Sequence, residues 1–435
     1  MTSDNSTKEP QPTRVIILIF EYEPLFSDGR VVRMKCFAEY LRDKGVQVSI
    51  VHLSDRDSET SENGITAYGV KYPGLSNVSR ASGLGSDRPR GWRYELIRRL
   101  SRLAFPDRYF LSAVRISRKI RQISKPGETL VVSMPLFSPL LIFCINRMVS
   151  SRLDIVFDYR DLWVDNKIFI RNKLENWAAK KIEAKALSNA KAVMVTTGPA
   201  KQYFHEQSLE SVWLVRNGIS LRDYEIFRSA KPKETSLADV SQETLNEVVV
   251  GYFGNIGNRR NAETLLKALK TLNVDLRVFG NIDDKHRAIC GTSYKGSVSR
   301  TQALLQATQC DLLLVVIRAA EDSSHAMPGK LFEYMALNTP ILLFCPPDAL
   351  IAEWLSRYDY PHILIDSESP EDDLLTLRDS LLKLGSNRGS RIKVAKEAIP
   401  IREREFEVVY DAISSWQGLA NGQPAVEPKP LLMDV

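Results

Sequence analysis

The stretch DLLLVVIRAAEDSSHAMPGKLFEYMALNTPILLF, residues 311–344, reads as strand, loop, helix, strand. Asp311–Ile317 is an apolar β run and Glu321–His325 a polar loop. Gly329–Leu337 has helical spacing with Pro340 beyond it, and Ile341–Phe344 is the next strand. The same alternation extends upstream. Val248–Phe253 is a strand, Gly254–Asn261 a Gly/Asn/Arg loop, Ala262–Leu272 a helix, Leu276–Gly280 a strand and Thr301–Thr308 a helix. A second series occupies the front of the chain. It has a strand at Arg14–Phe20, a helix through Val31, Met34, Phe37, Ala38 and Leu41 that stops at Gly45, and strands at 46–50, 129–133, 154–158 and 192–196. Between the two series, residues 217–246 are polar and without sustained periodicity. The expected fold class is α/β: two Rossmann-like, doubly wound domains facing across a cleft. The first is expected at 13–216 and the second at 247–400, joined by a linker at 217–246. A terminal helix is expected at 401–418, with tails at 1–12 and 419–435.

Composition narrows the class. In 435 residues, 44% are hydrophobic and 26% charged, with a formal net charge of +6, which excludes a disordered chain. Five scattered cysteines without a CxxC pair indicate neither a zinc framework nor a disulfide scaffold, and a reducing cytoplasm is the natural setting. No signal peptide is expected, and the longest apolar stretch, about 130–145, is interrupted by Pro135 and Pro139 and is too short to span a bilayer.

The chemistry concentrates at Met327–Glu333. Pro328 and Gly329 open a helix after a loop, so its first-turn N–H groups and the helix dipole make an anion site, to which Lys330 adds a full charge suited to a diphosphate. Glu333, at i+3, can face the same ligand and suits sugar hydroxyls better than phosphate. A surface Lys–Glu pair of little energetic worth fits the same spacing.

PGKLFEYMALNTPIL, residues 328–342, resembles the donor-site signature of family 4 glycosyltransferases of the GT-B fold, in particular the bacterial branch that builds surface polysaccharides. The resemblance implies that Lys330 contacts the donor diphosphate and Glu333 the ribose hydroxyls, with Leu331 beside them. Where several relatives carry a further Glu, eight positions before Glu333, this chain has His325. Gly251–Asn261 resembles the family's first C-terminal-domain loop, in which Gly254 allows close backbone approach and Arg259 or Arg260 reaches the phosphates. Gly280 ends the following strand with no acidic residue after it, which argues against a dinucleotide dehydrogenase. Tyr294–Val298 resembles the stretch that holds the nucleotide base, with Val298 at its end.

In the front half, Glu23-Pro24, Asp28-Gly29-Arg30 and Arg33 resemble the family's Gly-rich loop after strand one, with Gly29 near the donor or acceptor. Blocks at 106–109 and 133–135 also match, as does Asp158–Trp163 (DYRDLW). There Arg160 is a phosphate or sugar contact and Asp161 a hydroxyl acceptor, unless the two simply pair within the loop.

The resemblance implies a retaining transfer from a nucleotide-diphosphate sugar, with Lys330, Arg160 and Asp161 as the catalytic candidates and no metal or other cofactor. The acceptor is a glycan, often lipid-linked, in cell-surface polysaccharide synthesis. The other readings are a nucleotide-sugar epimerase of the same architecture and transfer to a soluble acceptor.

Residues 88–125 are basic, and Leu96, Ile97, Leu100, Leu103 and Ala104 recur at helical spacing among Arg98, Arg99 and Arg102. That pattern fits peripheral contact with an anionic membrane, placing the chain in the cytoplasm at the inner face of the plasma membrane, or an ordinary helix with a solvated basic face. Nucleic acid is not an expected partner, because the regular aromatic interleaving of single-strand binders is missing. Asp55-Arg56-Asp57 is read as part of a Ser/Glu-rich loop and not a metal site.

Overall fold

The computed structural model describes residues 14–19, 29–71, 110–134, 139–164, 173–209, 211–229, 245–256, 262–317, 325–385, 392 and 394–416. The chain divides into two compact units. The first runs to Val215 and takes the chain up again from Glu403; the second spans Arg216–Arg402.

The first unit runs β1 (Arg14–Leu18), α1 (Gly29–Asp43), β2 (Gln47–Ser54), β3 (Ser58–Glu62), β4 (Ile65–Lys71), α2 (Phe110–Ile123), β5 (Thr129–Met134), α3 (Pro139–Met148), β6 (Asp154–Tyr159), α4 (Lys173–Leu187), β7 (Ala192–Val195), α5 (Gly198–Glu206) and β8 (Val212–Leu214). The sheet order is β3-β4-β2-β1-β5-β6-β7-β8, parallel except for β3. In the central strands Ile17 pairs with Ile50 on one side and Val131 on the other. These strands are buried almost throughout, as a parallel sheet covered on both faces requires. One face carries α2–α5, seated through Ile116, Ile145, Ala179 and Phe204.

The segment read as a Ser/Glu-rich loop after β2 is in part the antiparallel hairpin β3–β4. It turns at Asn63-Gly64, where φ of 51° and 77° suits the primed turns of tight hairpins. β3 was hidden because it is polar and almost fully exposed, leaving no buried alternation to read, whereas β4 alternates buried and half-buried positions. Asp57 serves this hairpin: its carboxylate accepts from the Lys71 N–H at 2.8 Å and pairs with Arg115 at 2.7 Å.

The second unit runs α6 (Leu221–Ser229), β9 (Val249–Phe253), α7 (Glu263–Thr271), β10 (Asp275–Phe279), α8 (Asp284–Cys290), β11 (Tyr294–Gly296), α9 (Arg300–Ala307), β12 (Leu312–Val316), α10 (Gly329–Ala336), β13 (Ile341–Cys345), α11 (Leu350–Arg357), β14 (His362–Asp366) and α12 (Glu371–Gly385). Its parallel sheet has the order β11-β10-β9-β12-β13-β14, so the winding reverses between β9 and β12, the place where doubly wound sheets bind ligands. The polar segment 217–246 enters this unit: Ile219 bridges to Ile401, and α6 sets Phe227 into the core. Nine helical residues with few apolar anchors gave no sustained period to read.

After Arg402 the chain returns to the first unit as α13 (Arg402–Trp416), whose Phe406, Val409 and Ile413 fill the sheet face opposite α2–α5 together with α1. Phe406 packs on Phe37 with ring centroids 4.9 Å apart, and Trp416 stacks on Trp213 at 5.4 Å.

Where the chain leaves the first unit lies a buried ion pair. Arg33 and Asp158 are 1% and 0% exposed. The Arg33 guanidinium donates from Nη2 and Nε to Asp158 Oδ1 (3.1 and 3.3 Å) and from Nη2 to the Val215 carbonyl (2.9 Å). Its Cζ lies 5.7 Å from the Phe406 ring centroid. One side chain thus ties α1, the end of β6, the exit point and α13 together. Arg33→Met strands the Asp158 carboxylate in the core and is expected to lower stability by about 3–5 kcal/mol. Adding Asp158→Leu removes the stranded charge and is expected to recover most of that loss; urea unfolding of both variants measures the difference.

Candidate functional site

The site predicted around Lys330 assembles on the loops that follow β9, β10 and β11. Gly254 leaves β9 at φ 150° and Gly280 leaves β10 at φ 118°. The Gly254 N–H donates to the Phe279 carbonyl and the Gly280 N–H to the Gly296 carbonyl, each at 2.9 Å. A Cβ on Gly280 would collide with the Gly254 carbonyl, so the two loops touch backbone to backbone and only glycine fits. Phe253 and Phe279 stack beneath them, rings near parallel at 5.0 Å, and the Tyr294 hydroxyl donates to the Gly280 carbonyl at 3.0 Å.

Helix α10 enters from the other side of the switch point. Its N-cap is Pro328, which supplies no side-chain acceptor, so the first turn keeps its positive end turned outward. Leu331, Phe332, Tyr334 and Met335 bury one face of the helix, and the Tyr334 hydroxyl reaches the Phe253 carbonyl at 3.4 Å, fixing the helix to the end of β9. Burial drives the Tyr334 phenol well above its usual range, so it stays a neutral donor.

Lys330 points inward. Its Nζ is shielded from solvent, 4.4 Å from the Tyr252 ring centroid and 3.6 Å from where a Gly254 Cβ would stand. An ammonium is attracted to the negative face of an aromatic ring. Tyr252 is held in turn by its hydroxyl, which donates to the Asn255 carbonyl at 3.0 Å. Lys330, Gly254 and Gly280 therefore meet at one point, where an anion would receive an ammonium, a helix N-terminus and closely approachable backbone.

Glu333 is half-buried one turn along α10. Val298 is half-buried in the loop after β11, two residues past the Gly296 carbonyl that accepts from Gly280. Leu331 lies in the first turn of α10. Its side chain is in the core and its N–H donates to the Pro328 carbonyl, because the helix needs an apolar anchor there. Arg259 and Arg260 lie outside the described residues, as do Glu23-Pro24, Asp28, the 106–109 block and residues 88–109 of the basic stretch.

Gly29, Arg160 and Asp161 belong to the first unit. Gly29 opens α1, and Arg160 and Asp161 follow directly on β6. Asp161 is exposed, and the Arg160 carbonyl accepts from the Thr196 hydroxyl at 3.0 Å. The DYRDLW block does use a carboxylate for an ion pair, but the carboxylate is Asp158 and its partner Arg33. Sequence reasoning also passed over Tyr252. Its signal was available: in a strand, Tyr252 and Phe253 must point to opposite faces, so one of the two aromatics lies on the Gly254 side.

His325, in the loop before α10, is half-buried, and burial lowers its pKa. Burial also lowers that of His52, outweighing its 2.9 Å contact with the Leu53 carbonyl.

This chain has the GT-B fold. No family model matches the sequence, and no curated protein sequence matches it. Similar solved structures include the N-terminal domain of Candida albicans trehalose-6-phosphate phosphatase, at 12% identity and a TM-score of 0.58 over 94% of this chain and 98% of that one. Another is the UDP-forming α,α-trehalose-phosphate synthase of Burkholderia xenovorans in complex with glucose-6-phosphate, at 11% and 0.55 over 93% and 98%. A third is an E. coli trehalose-6-phosphate structure bound with UDP-2-fluoro glucose, at 11% and 0.53 over 93% and 97%. At these identities the likeness is one of architecture, and it covers nearly the whole chain.

Two predictions follow from the geometry. Gly280→Ala forces a side chain into the Gly254 carbonyl at a left-handed φ, and is expected to cost about 1–3 kcal/mol or more and to open the loop pair, read as a lowered Tm. The folded state also resists protonation of His52 and His325. Below the ordinary imidazole pKa of about 6.5 the unfolded chain takes up more protons, so stability is expected to fall as pH drops through that value. His325→Gln is expected to flatten that slope in urea titrations between about pH 7.5 and 5.5.

Proposed function

We propose that the chain is a retaining glycosyltransferase that moves a sugar from a nucleotide-diphosphate donor to a glycan acceptor, in the service of surface-polysaccharide synthesis. The observation that carries this reading is the shielded Lys330 ammonium, held over Tyr252 beside the Gly254–Gly280 backbone contact at the switch point of the second sheet. Breaking an anomeric C–O bond leaves charge on the departing diphosphate. A preorganised cation and helix N-terminus in a water-poor recess stabilise that charge more than they stabilise the intact donor. Either Arg259 or Arg260 adds to the same field, Glu333 takes the ribose hydroxyls, and Gly280 and Val298 border the base.

In the first unit, Arg160 and Asp161 follow β6, where they serve the acceptor, and Gly29 opens α1 for close backbone approach. The leaving phosphate itself takes the acceptor proton, so neither a covalent nucleophile nor a metal is needed. The E. coli structure of the same fold, bound with UDP-2-fluoro glucose, supports the donor class. A lipid-linked acceptor fits the basic character of residues 88–125.

The test is donor binding and turnover. A thermal-shift screen of nucleoside diphosphates is expected to raise the Tm with one base preferred. Lys330→Ala is expected to keep its fold, lose that shift, and reduce transfer by about 100-fold or more, with EDTA leaving wild-type turnover unchanged. Normal turnover in Lys330→Ala removes the assignment. Conversion of the donor without any acceptor points instead to an epimerase of this architecture.

A further inference from the structure

The loops after β9 and β10 continue side by side beyond their strands. Past the Gly254–Gly280 contact, the Asn281 N–H donates to the Asn255 side-chain carbonyl at 3.3 Å and the Ile256 N–H to the Asn281 carbonyl at 3.0 Å. The Asp283 N–H then donates to the Ile256 carbonyl at 3.1 Å, and Ile256 and Ile282 form a parallel bridge. Asp283 is the last rung of this ladder. Lys285, two residues on, pairs with Glu263, the first residue of α7. The chain between β9 and α7 is therefore held at both stems by one turn at the start of α8: Ile256 by Asp283 and Glu263 by Lys285.

That turn is fixed by His286. Asp283 is the N-cap of α8, and its Oδ1 accepts from the His286 N–H at 3.0 Å and meets Nδ1 of the His286 ring at 2.6 Å. Burial works against charge on Asp283, but the bonds from His286 outweigh it and hold the carboxyl below its usual range. An ionised carboxylate only accepts, so Nδ1 carries the ring proton and donates it. His286 is 1% exposed. Its Nε2 is shielded from solvent and has no partner among the described residues, so the bond to Asp283 is the ring's one polar anchor. A histidine that only capped a seven-residue helix could do so from the surface, without the cost of sealing a ring nitrogen away from water.

We infer that His286 is a positioning residue for the diphosphate recess: it locks the Asp283 rung and so fixes the loop that leaves β9 at Gly254. It acts through Asp283 and touches no ligand itself. This role rests on the donor reading and deepens it. A helix as short as α8 is weak alone, and a ring held in the core fixes its first turn where a mobile side chain would not. A backbone set in place beforehand binds phosphate without the cost of ordering itself. It meets the intact donor and the departing diphosphate alike, so its loss raises KM and leaves kcat nearly unchanged.

The test combines calorimetric binding of nucleoside diphosphates to the full chain, donor kinetics, and hydrogen exchange of backbone amides. In His286→Leu without ligand, the Ile256 and Asp283 amides are expected to exchange about tenfold faster than in wild type. The same variant is expected to bind the nucleoside diphosphate that wild type prefers about tenfold more weakly, with donor KM raised alike and kcat within about twofold. Asparagine carries a nitrogen on Cγ, as histidine does at Nδ1, whereas glutamine carries it one atom farther out. His286→Asn is therefore expected to recover wild-type exchange and binding to within about threefold, and His286→Gln to behave as His286→Leu. Should His286→Leu not fold, the difference between the Asn and Gln variants decides. Exchange, binding and KM in His286→Leu that match wild type overturn this role while the donor reading stands. So does faster exchange or a lower Tm with binding and KM unmoved, or His286→Gln recovering as much as His286→Asn. Wild type that binds no nucleoside diphosphate overturns the donor reading and this role with it.

Discussion

The second unit depends on a steric constraint at one point: the backbone of the loop after β10 presses on the carbonyl of Gly254, with no room for a side chain between them. Because the loops close to that distance, the Gly254 N–H can reach the Phe279 carbonyl and Phe253 can stack on Phe279. The recess that results is narrow enough for Lys330 to lie over Tyr252 and still stand beside Gly254. A looser turn would let water reach the ammonium, and a hydrated lysine stabilises a departing phosphate far less than a preorganised one.

A comparable constraint governs the other unit. Arg33 is an expensive residue to bury, and the structure accepts it because its guanidinium is spoken for on several sides at once: Asp158, the Val215 carbonyl and the ring of Phe406. These groups come from α1, β6, the exit from the first unit and the terminal helix. The pair therefore acts less as a source of stability than as a device that permits one arrangement of four segments. The terminal helix completes the core of a unit whose other elements lie some two hundred residues earlier in the chain. The two crossings, after Val215 and after Arg402, follow directly from that return.

Much of this was legible beforehand. The apolar runs at β9, β12 and β13, the first followed by Gly254 and the last by Pro346, announced a buried parallel sheet, and Pro328-Gly329-Lys330 announced a helix with a charged first turn. The β3–β4 hairpin was not read, although Asn63-Gly64 and the alternation in β4 signal it, because its partner strand β3 is polar and exposed. Leu331, placed at the ligand by family resemblance, buries its side chain in the core of the second unit. The ion pair made by DYRDLW was not read, because Asp158 lies among five consecutive buried strand residues that no alternation distinguishes, and its partner Arg33 is 125 residues away.

By itself the sequence determined the strands and helices that carry an apolar period, though not the β3–β4 hairpin or α6, and that a lysine stands in the first turn of α10, because periodicity and capping are local properties of consecutive residues. Only the tertiary structure decided what surrounds that lysine. Tyr252 and Gly254 are some seventy-five residues from it, and their meeting depends on the order in which parallel strands lie side by side. The same holds for Arg33 and Asp158, which lie 125 residues apart in the chain.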